Sequence, residues 1–269
     1  MNTFQTYNKD YPSVTAVINM LRKESLEDWF KRNTPEFIEA ECTAGLKVGK
    51  IIHQAIAAQI EAERFSFVTE FPEQARNALD SFDLFRKEHR EVKLKKAEIK
   101  MISDEYKVNA TLDCLAKIQM PIVFDWKTVK AYSAEKPAIY EESIHQASAY
   151  VKIYNSWRKI EGKADAVRQA AVVAIAKDKV AYNYLLLTEK AINESFHDVF
   201  LPAVRIWFYK KRNGYLERRK HYDKKEYSTE KETDSFNNNG SNRKGQGPGG
   251  NTEKGRGHSK KGAKLPCNF

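Results

Sequence analysis

The sequence predicts a mixed α/β (α+β) domain, in which a central mixed β-sheet contains an antiparallel meander and is flanked by α-helices. Three observations support this fold class. Strand-like runs follow one another between Glu98 and Lys130 with short turns between them, helical patterns precede and follow these runs, and Val167 to Asp178 is apolar like a strand buried on both faces. At 269 residues the chain is long enough for a large core.

The N-terminal part of the chain predicts three helices. The first follows Ser13, which we interpret as its N-cap; a phosphate contact by Ser13 and Thr15 is the alternative interpretation. The second helix runs from about Pro35 to Arg64, and the third follows Pro72.

The second helix places Gly49, His53 and Ala57 on one face, because these residues are spaced four apart. The small neighbours leave His53 room to reach another element. A single histidine most often belongs to the core or the surface, but imidazole is also a common metal ligand, so both interpretations stay open at this point.

The strand predicted over Ile122 to Val129 carries the most informative charges. Side chains alternate along a strand, so Asp125 and Lys127 project from one face, about 6.6 Å apart, and Trp126 projects from the other. The preceding β-rich run is joined to it by a short turn. Asp113, on that run, is therefore expected beside Asp125.

Two carboxylates and one ammonium group on neighbouring strands suit a metal site better than a core, because unpaired buried charge is costly. Asp113 and Asp125 would bind a hard cation such as Mg²⁺, with phosphate and water completing its shell. Lys127 would orient the attacking water or help to deprotonate it. A surface salt bridge at the sheet edge is the alternative interpretation.

The C-terminal half predicts a helix after Pro137, on which Gln146 and Tyr150 are neighbours because they are four residues apart. The apolar strand from Val167 follows, then a further strand from Ala181 and a last helix over about Glu189 to Lys211. A strand, a helix and another strand in this order are typical of a crossover connection.

We expect a single domain over residues 1–220, with a helical part (1–92) and a sheet with its helices (93–211), followed by a disordered tail (221–269). Lys and Arg outnumber Asp and Glu by 16 to 7 over residues 209–269, but by only 30 to 29 before them. The tail is either a solubilising linker or an electrostatic tether to a phosphate backbone.

Several cofactors and locations are not expected. The three cysteines are far apart and odd in number, which argues against disulfides and an iron–sulfur cluster. Gly45 to Lys50 has one residue too few for a P-loop, and Ile51 stands where Ser or Thr would hold Mg²⁺, so no nucleotide is expected. No apolar run approaches about 18 residues, and the N-terminus shows no signal or transit pattern, so no membrane association is expected.

The residues singled out above resemble the PD-(D/E)XK nuclease superfamily, specifically its RecB-like exonuclease branch. The family order is a helix with Gly and His, a strand Glu, a strand Asp, Asp/Glu-x-Lys and Gln-x-x-x-Tyr. Over residues 11–210 this chain carries, in the same order, Gly49 with His53, Glu98, Asp113, Asp125-Trp126-Lys127 and Gln146 with Tyr150.

Within that branch the chain is most similar to the mitochondrial genome maintenance exonuclease family. The shared segments are Pro12 to Thr15, Leu112 to Cys114, Asp125 to Thr128, Val172 to Ala174 and Lys177-Asp178. Without a transit pattern, we expect a cytoplasmic location in a bacterial or phage-infected cell, with a mitochondrial one as the alternative.

The resemblance implies a restriction-endonuclease-like core and a metal-dependent exonuclease that prefers single-stranded DNA ends. It implies that Asp113, Asp125, His53 and the Trp126 carbonyl bind Mg²⁺ or Mn²⁺, and that Lys127 positions and activates the hydrolytic water. CRISPR-associated RecB-like nucleases share the core but carry a four-Cys iron–sulfur cluster, which this chain lacks.

The resemblance also implies that Gln146 and Tyr150 hold the nucleic acid or support the catalytic residues. The role of Glu98 varies in the family between a supporting contact and an additional metal site. Three functions follow as hypotheses: an exonuclease acting on single-stranded ends, a double-strand exonuclease or endonuclease of the same fold, and a non-catalytic nucleic-acid-binding protein. Protein partners cannot be inferred from the sequence.

Overall fold

The computed structural model of the chain describes residues 7–21, 34–61, 72–160 and 162–216. The described helices are α1 (Val14–Ile18), α2 (Pro35–Ile60), α3 (Glu73–Glu88), α4 (Glu141–Arg158), α5 (Glu189–Glu194) and α6 (Leu201–Arg212). The described strands are β1 (Lys93–Ser103), β2 (Val108–Lys117), β3 (Pro121–Val129), β4 (Gln169–Ala176) and β5 (Tyr182–Leu187).

The five strands form one mixed sheet in the order β1-β2-β3-β4-β5. β1, β2 and β3 pair antiparallel, as expected of a meander, and α4 connects β3 to the parallel strand β4. β5 pairs antiparallel with β4. The predicted mixed α/β fold with helices around a mixed sheet is therefore confirmed.

An aromatic cluster joins helix α3 to one face of the sheet. The ring of Trp126 lies 5.2 Å from that of Phe82 and 5.7 Å from that of Phe85, both in edge-to-face geometry. Phe85 also packs on Phe124, two residues before Trp126 on β3. Trp126 is 1% exposed and its ring packs on α3, as expected if it lies on the face of β3 opposite to Asp125. This packing fixes β3 against the helical layer formed by α2 and α3.

The predicted first and last helices differ from the structure. α1 ends at Ile18 and continues as a 3₁₀ turn, Asn19–Leu21, while the rest of that prediction lies outside the described residues. The last helix is interrupted by a π segment, Ser195–Phe200, which joins α5 to α6. Pro202 lies two residues after the π segment and has no N–H to donate, so one backbone hydrogen bond of a regular helix is lost there.

The chain divides into two compact units near its C-terminal end. The first unit reaches Trp207, and the second begins at Phe208 and is described as far as residue 216. The predicted tail lies outside the described residues. None of the described helices combines the length and apolarity needed to cross a bilayer.

Candidate functional site

The candidate site lies where β2 and β3 stop pairing. Their backbone register runs from the pair Lys117 and Pro121 to the pair Cys114 and Phe124. At the next position a side chain takes the place of the backbone acceptor. Asp113 Oδ2 accepts the backbone N–H of Trp126 at 2.9 Å. The strands therefore separate at Asp113, and the polar side chains beyond this point face a gap.

The buried Asp125 carboxylate forms an ion pair with the partly exposed Lys127 on β3. Asp125 is 0% exposed; Lys127 Nζ donates to its Oδ1 at 2.9 Å and lies 2.8 Å from its Oδ2. The second contact is an ion-pair contact that leaves Oδ2 without a well-directed hydrogen bond. Burial raises the pKa of Asp125 to about 6, with Asp113 acting in the same direction and Lys127 against it. An oxygen in this state is a suitable ligand for a cation.

His53 reaches the gap from helix α2. Its Nδ1 lies 3.9 Å from Asp113 Oδ1, and the ring lies near the backbone of Trp126. Burial, followed by the nearby Lys127 charge, lowers the pKa of His53 to about 4. The imidazole is therefore neutral near pH 7, which is the protonation state that binds metals.

Glu98 completes a group of three possible ligands. The three residues Glu98, His53 and Asp113 each offer one ligand atom, and these atoms lie within 4.8 Å of one another. Among the described residues, this group could hold a metal ion. Glu98 has a φ of 49°, although it is not glycine and lies inside β1. Such a backbone conformation costs about 1–3 kcal/mol and is typical of functional positions. Desolvation, then the Asp113 charge, raises the pKa of Glu98 to about 7.

This group shares His53 and Asp113 with the ligand set that the resemblance implied, which also included Asp125 and the Trp126 carbonyl. The resemblance implied Asp125 as a ligand, and the structure engages that carboxylate with Lys127 while bringing Glu98 to His53 and Asp113. Asp125 lies beside the group, since its charge and that of Asp113 affect each other. The described donors, two or three carboxylates and one imidazole, fit a divalent cation such as Mg²⁺ or Mn²⁺.

Gly49 sets the distance between α2 and β3, and through it the position of His53. A Cβ built on Gly49 would lie 3.4 Å from Thr128 Oγ1, which is still ordinary contact. We expect Gly49→Ala to fold normally and to gain up to about 1 kcal/mol from helix propensity. Gly49→Leu should push α2 away and weaken metal binding by about tenfold or more, as for other displaced ligand supports.

Thermal melting and Mn²⁺ titration of the two Gly49 variants check this prediction. Gly49→Ala is the matched control, because its Cβ would meet Thr128 Oγ1 at an ordinary contact distance of 3.4 Å and need not displace α2. Equal metal affinity of Gly49→Leu and wild type would show that His53 does not depend on this close approach.

The raised carboxyl pKa values of Asp125 and Glu98 contribute a stability to the metal-free protein that decreases as the pH rises. In the unfolded chain Asp125 and Glu98 titrate near about 4, whereas their pKa values in the fold are about 6 and about 7. Between these pKa values the folded state binds more protons than the unfolded state. The contribution of the two carboxyl groups to stability is therefore present at low pH and is lost as the pH rises through about 4 to 7. Metal affinity should rise over the same range, because the metal needs the carboxylates.

Melting temperatures of the metal-free wild type and of Glu98→Gln, compared between about pH 5 and about pH 7.5, test this dependence. The wild type should lose more stability than the variant, since the variant lacks one of the two shifted groups. Parallel curves for the two proteins would contradict the contribution of Glu98.

Tyr150 approaches the same carboxylates from helix α4. Gln146 Nε2 donates to the Tyr150 hydroxyl oxygen at 2.6 Å, as their spacing predicted. Burial, then the charges of Asp113 and Asp125, raise the pKa of Tyr150 well above its ordinary value. The Tyr150 hydroxyl thus keeps its proton and remains a hydrogen-bond donor next to the acidic cluster.

Ser13 and Thr15 lie near the start of the described chain. Ser13 caps α1, since its Oγ accepts the Ala16 N–H at 3.1 Å, which confirms the capping interpretation. Ser13 also forms a bridge with Asn109, four residues before Asp113 on β2. Thr15 is exposed on α1, and a phosphate contact by either residue stays a prediction.

Asp178, which follows β4, has a structural role that the sequence did not indicate. Its two carboxylate oxygens accept the backbone N–H groups of Ala131 and Tyr132, each at 2.8 Å. These hydrogen bonds tie the loop after β3 to the turn after β4. The Lys177-Asp178 pair was noted in the sequence, but no local pattern indicated which backbone groups it would bind.

Comparisons with known proteins give little further guidance. No family model matches the chain, and the comparison with curated proteins gave no match. Among solved structures, SSO0001 shares 14% identity over 72% of this chain and 77% of that chain, with a TM-score of 0.34. LHK-Exo, solved in complex with dAMP, shares 10% identity over 77% of this chain and 95% of that chain, with a TM-score of 0.30. Both TM-scores are low, so neither likeness carries the assignment of a function.

Proposed function

We propose that the chain is a metal-dependent deoxyribonuclease of the PD-(D/E)XK type, which hydrolyses phosphodiester bonds from free ends of single-stranded DNA. One observation supports this most: the Asp125–Lys127 ion pair lies beside the group formed by His53, Glu98 and Asp113. A cation site next to a lysine is the combination that phosphodiester hydrolysis needs. The preference for single-stranded ends rests on the resemblance in motif order.

His53, Glu98 and Asp113 would hold the ion, with Asp125 and the Trp126 carbonyl beside them. A bound Mg²⁺ or Mn²⁺ would polarise the phosphate and make its bound water more acidic. The ammonium group of Lys127, held by Asp125, orients the attacking water and stabilises the negative charge that develops on the phosphate oxygens. The Tyr150 hydroxyl, fixed by Gln146, can donate to a phosphate oxygen at the same gap.

The neutral state of His53 has a further consequence for substrate binding. A protonated histidine would compete with the cation for the same carboxylates, but burial keeps this ring uncharged near pH 7. The acidic cluster therefore stays available to a cation, which in turn allows the phosphate to approach two or three carboxylates.

The test is digestion of an end-labelled single-stranded oligonucleotide with Mg²⁺, Mn²⁺ or EDTA. We expect metal-dependent shortening from an end, blocked by EDTA. Matched linear, end-blocked, circular and double-stranded substrates then separate the alternatives: cleavage of circular DNA indicates an endonuclease, and a preference for duplex ends indicates a double-strand exonuclease. Binding without products under every metal condition would overturn the enzyme and leave a nucleic-acid-binding protein.

A further inference from the structure

The loop after β3 is held rigidly by the turn after β4. Besides the two hydrogen bonds from Ala131 and Tyr132 to Asp178, the Lys177 N–H donates to the Val129 carbonyl at 2.9 Å. Lys179 Nζ donates to the Ala134 carbonyl at 2.6 Å. The first part of the loop, from Val129 to Ala134, is thus fixed by this turn. The loop projects from the end of the strand that carries Asp125 and Lys127.

Tyr132 is an exposed aromatic residue in this loop. Its side chain is 53% exposed, and its φ of 53° lies in the left-handed region, which a large L-residue adopts at a cost of about 1–2 kcal/mol. Glycine would occupy this position without that cost. Neither the conformation nor the exposed ring stabilises the fold, so a contribution to function explains their presence better.

The position of Tyr132 relative to the candidate site is suitable for a substrate contact. Tyr132 follows Lys127 by five residues, so the two Cα atoms are at most about 17 Å apart. Its neighbour across the loop is Tyr140, the residue before α4, and α4 carries Gln146 and Tyr150. The loop that carries Tyr132 therefore connects two elements of the candidate site, β3 and α4.

The loop after β3 and the turn after β4 carry positive charges, which suit the negatively charged backbone of a nucleic acid. Lys130 follows β3 directly, and Lys177 and Lys179 lie in the turn after β4. The negative charge of Asp178 in this turn is offset by the two backbone N–H groups that it accepts, which also contribute to lowering its pKa. Lysines beside an exposed aromatic ring are the combination by which proteins bind single strands, with the backbone on the charges and a base on the ring.

We propose that Tyr132 is a stacking platform for one base of the single-stranded DNA substrate, held in place by Asp178. The inference rests on the proposed function and adds a substrate-binding residue outside the metal site. Because stacking uses the face of the ring, the contact is independent of base identity and requires a base that is not paired in a duplex.

Three variants separate the ring from the backbone conformation. Tyr132→Gly removes the ring and suits the left-handed backbone, Tyr132→Phe keeps the stacking surface, and Met120→Ala is the control, since Met120 is 49% exposed at the opposite end of β3. Binding of a fluorescent single-stranded oligonucleotide is measured in EDTA, with melting temperatures of each variant.

We expect Tyr132→Gly to bind about 5- to 150-fold more weakly while melting at the same or a higher temperature. Tyr132→Phe and Met120→Ala should bind like the wild type. Oligonucleotides with a single abasic site at successive positions locate the contact. At one position the wild type should lose affinity and Tyr132→Gly should lose none.

Wild-type affinity of Tyr132→Gly, or an equal loss by both proteins at every abasic position, would overturn the stacking role while leaving the nuclease intact. A wild type that binds single-stranded DNA but never cleaves it would overturn the proposed function and not this contact. A wild type that neither binds nor cleaves single-stranded DNA would overturn both.

Discussion

Lys127→Ala should abolish DNA cleavage and leave the fold intact. Lys127 Nζ contacts both oxygens of Asp125, and in the proposed mechanism its ammonium group orients the attacking water and stabilises the charge on the phosphate. Removing a group that activates water and stabilises developing charge lowers rates by about 10²- to 10⁴-fold. Turnover on a single-stranded oligonucleotide at saturating Mg²⁺ measures the loss.

The same variant has a second expected effect, on the metal-free protein. Without the ammonium group, Asp125 is a buried carboxyl with no compensating charge, so its pKa should rise further and the melting temperature should fall. A bound cation can replace the lost charge. Added Mg²⁺ should therefore raise the melting temperature of Lys127→Ala by more than that of wild type.

Lys117→Ala is the matched control for this experiment, since Lys117 is exposed at the other end of β2. It should cleave and melt like the wild type. Near-normal turnover by Lys127→Ala would exclude the proposed role of the lysine, even if metal binding were demonstrated.

Asp125→Asn should lower the cleavage activity without lowering the melting temperature of the metal-free protein, whereas Lys127→Ala should lower both. The asparagine can still accept from Lys127, and the mutual repulsion with Asp113 disappears, so the metal-free variant should melt at the wild-type temperature or above it. Cleavage should fall by about 10³-fold, because the cation loses a neighbouring charge worth several kcal/mol in the transition state.

Metal-induced stabilisation of Asp125→Asn distinguishes the two possible ligand sets. If Asp125 binds the ion, the rise in melting temperature with Mn²⁺ should be much smaller than in wild type. If the rise is unchanged, the ion is held by His53, Glu98 and Asp113 without it. Asp83→Asn, an exposed change of the same charge on α3, controls for general electrostatic effects.

Local periodicity was sufficient to predict much of this arrangement. The period of two in a strand placed Asp125 and Lys127 together, and the helical spacing of four placed Gln146 next to Tyr150. The short turn after β2 brought Asp113 to the neighbouring strand. Each of these relations depends on backbone geometry over a few residues, which the sequence displays directly.

Other features depend on partners far away in the chain and were not predictable in this way. The left-handed conformation of Glu98 has no local signal, since nothing about a glutamate in a strand favours it. The hydrogen bonds of Asp178 join segments 46 and 47 residues apart. The π segment at Ser195 brings its hydroxyl to His145 Nδ1 at 2.8 Å, a contact made only in the assembled fold.

The backbone N–H of Trp126 binds Asp113, while its indole ring lies in the aromatic cluster with Phe82. One residue is thus shared by the acidic gap and the hydrophobic interior. Any repacking of that interior would tilt Asp125 and Lys127, its neighbours on either side. For protein engineering, substitutions beneath Trp126 are therefore changes to the alignment of the reacting groups, although no DNA would touch them.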